Sequence, residues 1–195
     1  MNLIERVKNI ITTPKTEWLK IAAEPQPMSS VLGSYVVPLV LIGAVATFIG
    51  YAFIGVNYGL FKFSGTDWGI RMAVIQAVSA LLGVIVTSYV VDALAPSFSS
   101  EKNINKSMQL VAYGYTPAFV GAIFNIFPAI AIIGSLLSLY GIYVMYLGFT
   151  PMKNTPEDKR VSYFLVTIVV IIALYFVIGL ILGNVFGTRL ATGTL

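Results

Sequence analysis

The chain of 195 residues is 57% hydrophobic and only 10% charged, with a mean hydropathy of +0.87 and a formal net charge of +4. A soluble domain usually carries about 25% charged residues, so the apolar side chains must face lipid, and the length leaves room for one domain and no separate soluble module. Cysteine and histidine are absent, which excludes disulfides, thiolate nucleophiles and the commonest metal ligands, and the scattered basic residues form no tract for a nucleic acid.

Residues 1–30 are the only long polar stretch. Arg6 and Lys8 are followed by only Asn9, Ile10 and Ile11 before Thr12-Thr13-Pro14. A cleavable signal needs an apolar core of roughly 7–15 residues there. The spacing of Leu3, Ile4, Val7, Ile10 and Ile11 predicts a short amphipathic helix. Thr13 and Pro14 read as the N-cap and first residue of a second, which Glu24-Pro25-Gln26-Pro27 ends. Such helices, one bearing Trp18 as an anchor, suit a membrane surface; packing against the chain's own helix ends is the equal alternative.

Five spans are expected, at about 31–55, 70–94, 111–127, 129–150 and 163–186, followed by a tail at 188–195. Met108 to Met152 holds no charged residue. As one helix it would reach roughly 65 Å, about twice the hydrocarbon core, so it must fold back near Asn125 and Pro128. The first half is short for a full crossing, which leaves a partly re-entrant path open. The expected fold class is therefore all-α, an integral membrane bundle with short amphipathic helices at its N-terminus. A cytoplasmic N-terminus puts Arg6, Lys8, Lys15, Lys20, Lys102, Lys106, Lys153, Lys159 and Arg160 inside and Lys62, Arg71 and Arg189 outside. That asymmetry predicts N-in, C-out.

Gly43, Ala46 and Gly50 in the first span, and Ser79, Gly83 and Thr87 in the second, make small-residue faces for close packing, within the chain or against a second copy. Gln76, Asn125 and Asn184 are expected to bond across helices. Asp92, near the cytoplasmic end of the second span, is the only carboxylate inside a span. It opposes the helix macrodipole and needs a partner. A cluster of Asp92, Tyr113, Tyr115 and Lys106 is expected, either as a structural pair at the interface or as a proton or cation site. No catalytic constellation and no cofactor motif is present.

Pro14-Lys15-Thr16-Glu17-Trp18, followed by Ile21-Ala22-Ala23-Glu24-Pro25, resembles the opening of prokaryotic members of the Yip family. Ala112-Tyr113-Gly114-Tyr115-Thr116-Pro117 is similar to their Tyr-x-Tyr-Thr-Pro run, including Thr116 and Pro117. The order of spans matches as well. The resemblance implies a polytopic, non-enzymatic membrane protein of the prokaryotic cytoplasmic (inner) membrane. Eukaryotic members interact with Rab-type GTPases. Their Asp-Leu-Tyr-Gly-Pro signature is reduced here to the Tyr35 and Pro38 of Gly33-Ser34-Tyr35-Val36-Val37-Pro38, which argues against GTPase binding. The leading expectation is a scaffold or adaptor that organises membrane lipids, other membrane proteins or copies of itself. The alternative is a small transporter or channel using Asp92.

Overall fold

The computed structural model describes the backbone of residues 2–58 and 61–191, with side chains described for 2–57 and 62–181. Asn184, expected to bond across helices, and Arg189, counted in the charge balance, lie outside the described side chains. Two short helices open the chain, α1 (Leu3–Thr12) and α2 (Pro14–Ala23). Asn2 caps α1 by accepting from the Ile4 N–H, and Pro14 sits where a first-turn N–H would be orphaned in any case.

The first long helix, Met28–Ile54, contains α3 (Met28–Val31) and α4 (Val37–Ile49), each followed by a π-turn. Pro38 explains the first. It lacks the N–H that would serve Ser34, and the ladder shifts so that the Val37 N–H reaches back to Leu32. The second ends at Gly55, whose φ of 75° a glycine adopts without strain. A hairpin of β1 (Val56–Tyr58) and β2 (Phe61–Phe63), antiparallel with Val56 opposite Phe63, follows.

Next come α5 (Thr66–Leu94), α6 (Ile104–Gly114), α7 (Thr116–Gly121), α8 (Ala131–Lys153) and α9 (Glu157–Ala191). The molecule is an all-α membrane bundle. Among the described residues, four stretches are long and apolar enough to cross a bilayer: Met28–Ile54, Thr66–Phe98, Pro128–Lys153 and Glu157–Ile181. The expected third span, 111–127, is not a continuous helix. Its helix begins earlier, at Ile104, breaks at Tyr115 and decays into 3-10 turns at Ala122–Ile126 and Pro128–Ile130. Pro117 and Pro128 both withhold backbone donors, and α7 is only a turn and a half long before the chain bends at Phe127.

Close approach holds this broken segment in place. A Cβ at Gly121 would stand 2.6 Å from the Gly134 carbonyl oxygen, so α7 crosses α8 backbone to backbone. Gly43 approaches Ala122, and Gly50 approaches the Asn125 carbonyl. Gly83 lies against Tyr175 of α9. These small positions therefore pack within the chain.

The tightest core lies towards one end. Trp18, Ile10, Ile21, Met108, Leu110, Phe149, Met152 and Tyr163 are fully or almost fully buried there. Leu41, Val45, Phe53, Leu136, Leu139, Val169 and Phe176 are exposed along the spans, as a lipid-facing surface requires.

Candidate functional site

Helix α6 is buried from Ser107 to Gly114, and a polar cluster flanks it at each end. The first involves Asp92, in the last turn of α5. Lys153, the last residue of α8, approaches it with Nζ 3.3 Å from Asp92 Oδ1. Ser107, in the first turn of α6, donates to the same carboxylate oxygen at 3.1 Å. The Lys153 ammonium also donates to Ser107 Oγ at 2.6 Å and to the Asn103 carbonyl at 3.3 Å. All three of its protons thus have acceptors, which allows an ammonium to be 0% exposed. The local chain supports this arrangement. Asn103 caps α6 through the Asn105 and Lys106 N–H groups, and the Glu101 N–H bonds the Lys153 carbonyl.

The second cluster joins the N-terminal helices to α6. Arg6 Nη1 donates to Glu17 Oε1 at 2.6 Å, and Nη2 donates to Glu24. The guanidinium stands 5.5 Å from the centre of the Tyr113 ring, which Tyr35 meets edge-on at 4.7 Å. The Tyr35 hydroxyl pairs with Thr116 Oγ1 at 2.7 Å. Gln109 donates to the Glu24 carbonyl at 2.9 Å. A cavity of about 110 Å³ lies between Arg6, Gln26, Ser34, Tyr35 and Tyr113.

The expected cluster of Asp92, Tyr113, Tyr115 and Lys106 does not assemble. Because α6 starts at Ile104, the residue that meets Asp92 is Ser107, more than a turn before the tyrosines. Tyr113 and Tyr115 are two residues apart and face different neighbours: Tyr113 meets Arg6, while the Tyr115 hydroxyl lies 3.1 Å from Thr87 Oγ1. Lys106 turns to Glu101 at 2.7 Å. That contact holds the Glu101 carboxyl below the ordinary carboxylate range, chiefly through the hydrogen bond.

Trp18 stands inside the bundle and not on its outer face. Its indole donates to the Val144 carbonyl at 2.8 Å, and its ring fills the space left by Gly148. The N-terminal helices accordingly pack against the chain's own helices. Asn125 does bond across helices, donating to Thr47 Oγ1 at 3.0 Å. Within the family-like run, Thr116 holds Tyr35 and Pro117 packs near Gly141.

Sequence reasoning missed Lys153, Ser107, Arg6 and Glu17. Lys153 follows Pro151 and reads as the start of a loop, yet α8 runs through that proline. Arg6 and Glu17 lie eleven apart on two different helices, and no spacing rule links them.

The Yip1 domain matches residues 8–181 of the chain. Inner membrane protein YohC of Escherichia coli strain K12 is 24% identical over 165 residues, covering 82% of this chain and 85% of the relative. The protein of the same name from E. coli O6:H1 strain CFT073 matches to the same extent. No solved structure matches. A match over most of the length, on a bundle of membrane-crossing helices, settles the family: the chain is an integral membrane protein belonging to the Yip1 domain family.

Proposed function

We propose that this protein is a non-enzymatic scaffold or adaptor of the prokaryotic inner membrane, with its N-terminus in the cytoplasm, organising membrane proteins or lipids around it. The carrying observation is the state of Asp92. It is held between Ser107 and Lys153, as one half of a buried ion pair. Arg6 is likewise neutralised by Glu17 and Glu24. Buried pairs of this kind fix how helices are arranged, a role better matched to a scaffold than to chemistry. The name of the E. coli relatives places those proteins in the inner membrane, which supports the location.

Native mass spectrometry of the protein released from its own membranes without delipidation tests this reading. A co-purifying membrane protein, a defined oligomer or a retained specific lipid is expected. A bare monomer with no lipid preference would remove it.

One observation favours a second reading, transport through the bundle. The segment from α6 through the 3-10 turns is a discontinuous element of the type that lines transporter sites. Solute or proton flux in proteoliposomes that Asp92→Asn abolishes would favour transport. Absence of flux would leave the scaffold.

A further inference from the structure

Helices α8 and α9 meet closely at one end and part along their length. Residues 138, 142, 146 and 150 of α8 share one face at i,i+4 spacing, as do 160, 164, 168 and 172 of α9. At the closed end, Arg160 Nε donates to the Tyr146 hydroxyl at 3.1 Å, and its guanidinium stands 4.9 Å from the centre of that ring. Arg160 Nη1 reaches Thr150 Oγ1 at 3.4 Å, and Tyr146 meets Phe164 edge-on at 5.1 Å. Beyond Phe164 the two helices enclose an open groove of about 350 Å³. Ser138, Ile142, Ile168 and Ile172 form its sides, and Tyr115 and Tyr175 lie at its inner wall.

We propose that this groove binds one acyl chain of an anionic phospholipid, with the phosphate held by Arg160. Three features select that occupant. The lining is apolar, as a site inside the hydrocarbon must be. From Arg160 to Ile172 the rise is about 18 Å at 1.5 Å per residue, close to one leaflet and well short of the ~30 Å that a partner's crossing helix needs. Finally, among the described residues Arg160 Nη2 has no partner, and the side chain is 25% exposed, so a headgroup can reach it. Its one carboxylate neighbour, Glu157, is 3.5 Å from Nη1 and 81% exposed. Such a surface pair is weak, and a phosphate can displace it.

The inference deepens the scaffold reading by naming the lipid class, and rests on it only for the claim that bound lipid matters to the protein's role. Its test reads binding alone. Purified protein is mixed with equal amounts of phosphatidylglycerol and phosphatidylcholine of identical chains, and retained lipid is counted by native mass spectrometry. Wild type is expected to favour phosphatidylglycerol about fivefold, the preference one well-placed basic residue supplies. Arg160→Gln should bring that preference near unity. Lys159→Gln should leave it intact, because Lys159 instead bonds Ser99. Ile172→Trp should abolish retention of both lipids. Ile172 is 64% exposed, so the larger ring enters the groove without disturbing the core, and Ser138→Phe serves as a second filling variant.

Equal retention of the two lipids by wild type would overturn the proposal. So would unchanged retention in both filled variants, or equal effects of Arg160→Gln and Lys159→Gln. A lipid-free dimer lost on Ile172→Trp would also overturn it and assign the groove to a second copy. Photo-crosslinking in native membranes reads the scaffold role separately. Retained lipid without a cross-linked partner would sink only the claim that the protein organises other membrane proteins, whereas partners without retained lipid would sink only the groove.

Discussion

Lys153 is the residue on which the buried charge balance turns. Its ammonium is fully covered and satisfies Asp92, Ser107 and the Asn103 carbonyl together. Lys153→Met leaves Asp92 without its buried cation, and such a loss costs about 3 kcal/mol. Replacing both, as Asp92→Asn with Lys153→Met, removes the charges together and should recover most of that loss. Thermal unfolding in detergent across the double-mutant cycle measures the coupling; additive losses would show that the pair contributes nothing of its own. Glu101 behaves differently because it lies at the surface. With its carboxyl held below the ordinary value of 4.5 by Lys106, its contribution is complete above that value and disappears as pH falls through the lower folded value. Glu101→Gln should therefore lower the melting temperature slightly at neutral pH, flatten its acid limb and converge on wild type well below pH 4.5.

At the scale of elements, Trp18 is the largest side chain that holds the α1–α2 pair to the bundle, beside the Arg6–Tyr113 and Gln109–Glu24 contacts. Trp18 is buried, donates to Val144 and packs against Gly148. Trp18→Ala should cost about 3 kcal/mol and release residues 3–23 to fast hydrogen exchange. Gly148→Val should give the same pattern, since an added Cβ would stand 2.7 Å from the indole. Protection of α1 and α2 unchanged in both variants would refute the docking. Much of this architecture was legible. Thr13 and Pro14 mark a helix start, and the apolar runs mark the crossing segments, because local rules govern them. The break at Tyr115 was only half legible: Pro117 announced it, but the early start at Ile104 depends on Asn103 as a cap. Tertiary partners were not legible at all. Whether Trp18 faces lipid or Val144 is decided by a residue more than a hundred positions away, and periodicity carries no information about that.

At the scale of the whole molecule, the basic residues separate by end. The 95–107 segment meets the 153–160 segment through Glu101 to Lys153 and Ser99 to Lys159, and α6 meets the N-terminal region through Met28 to Asn105 and Glu24 to Gln109. Lys62 sits at the opposite end, on the hairpin beside Gly55. With the basic end inside, both polar clusters lie towards the cytoplasm and Arg160 lies in the inner leaflet, where anionic lipid attracts basic groups. The natural absence of cysteine makes the orientation directly measurable. Lys102→Cys and Lys62→Cys each introduce a single thiol at an exposed position. In intact cells a membrane-impermeant maleimide should label Lys62→Cys and spare Lys102→Cys until the membrane is opened. The reverse pattern would turn the molecule over, place the Arg160 groove in the outer leaflet and remove the charge argument for its lipid.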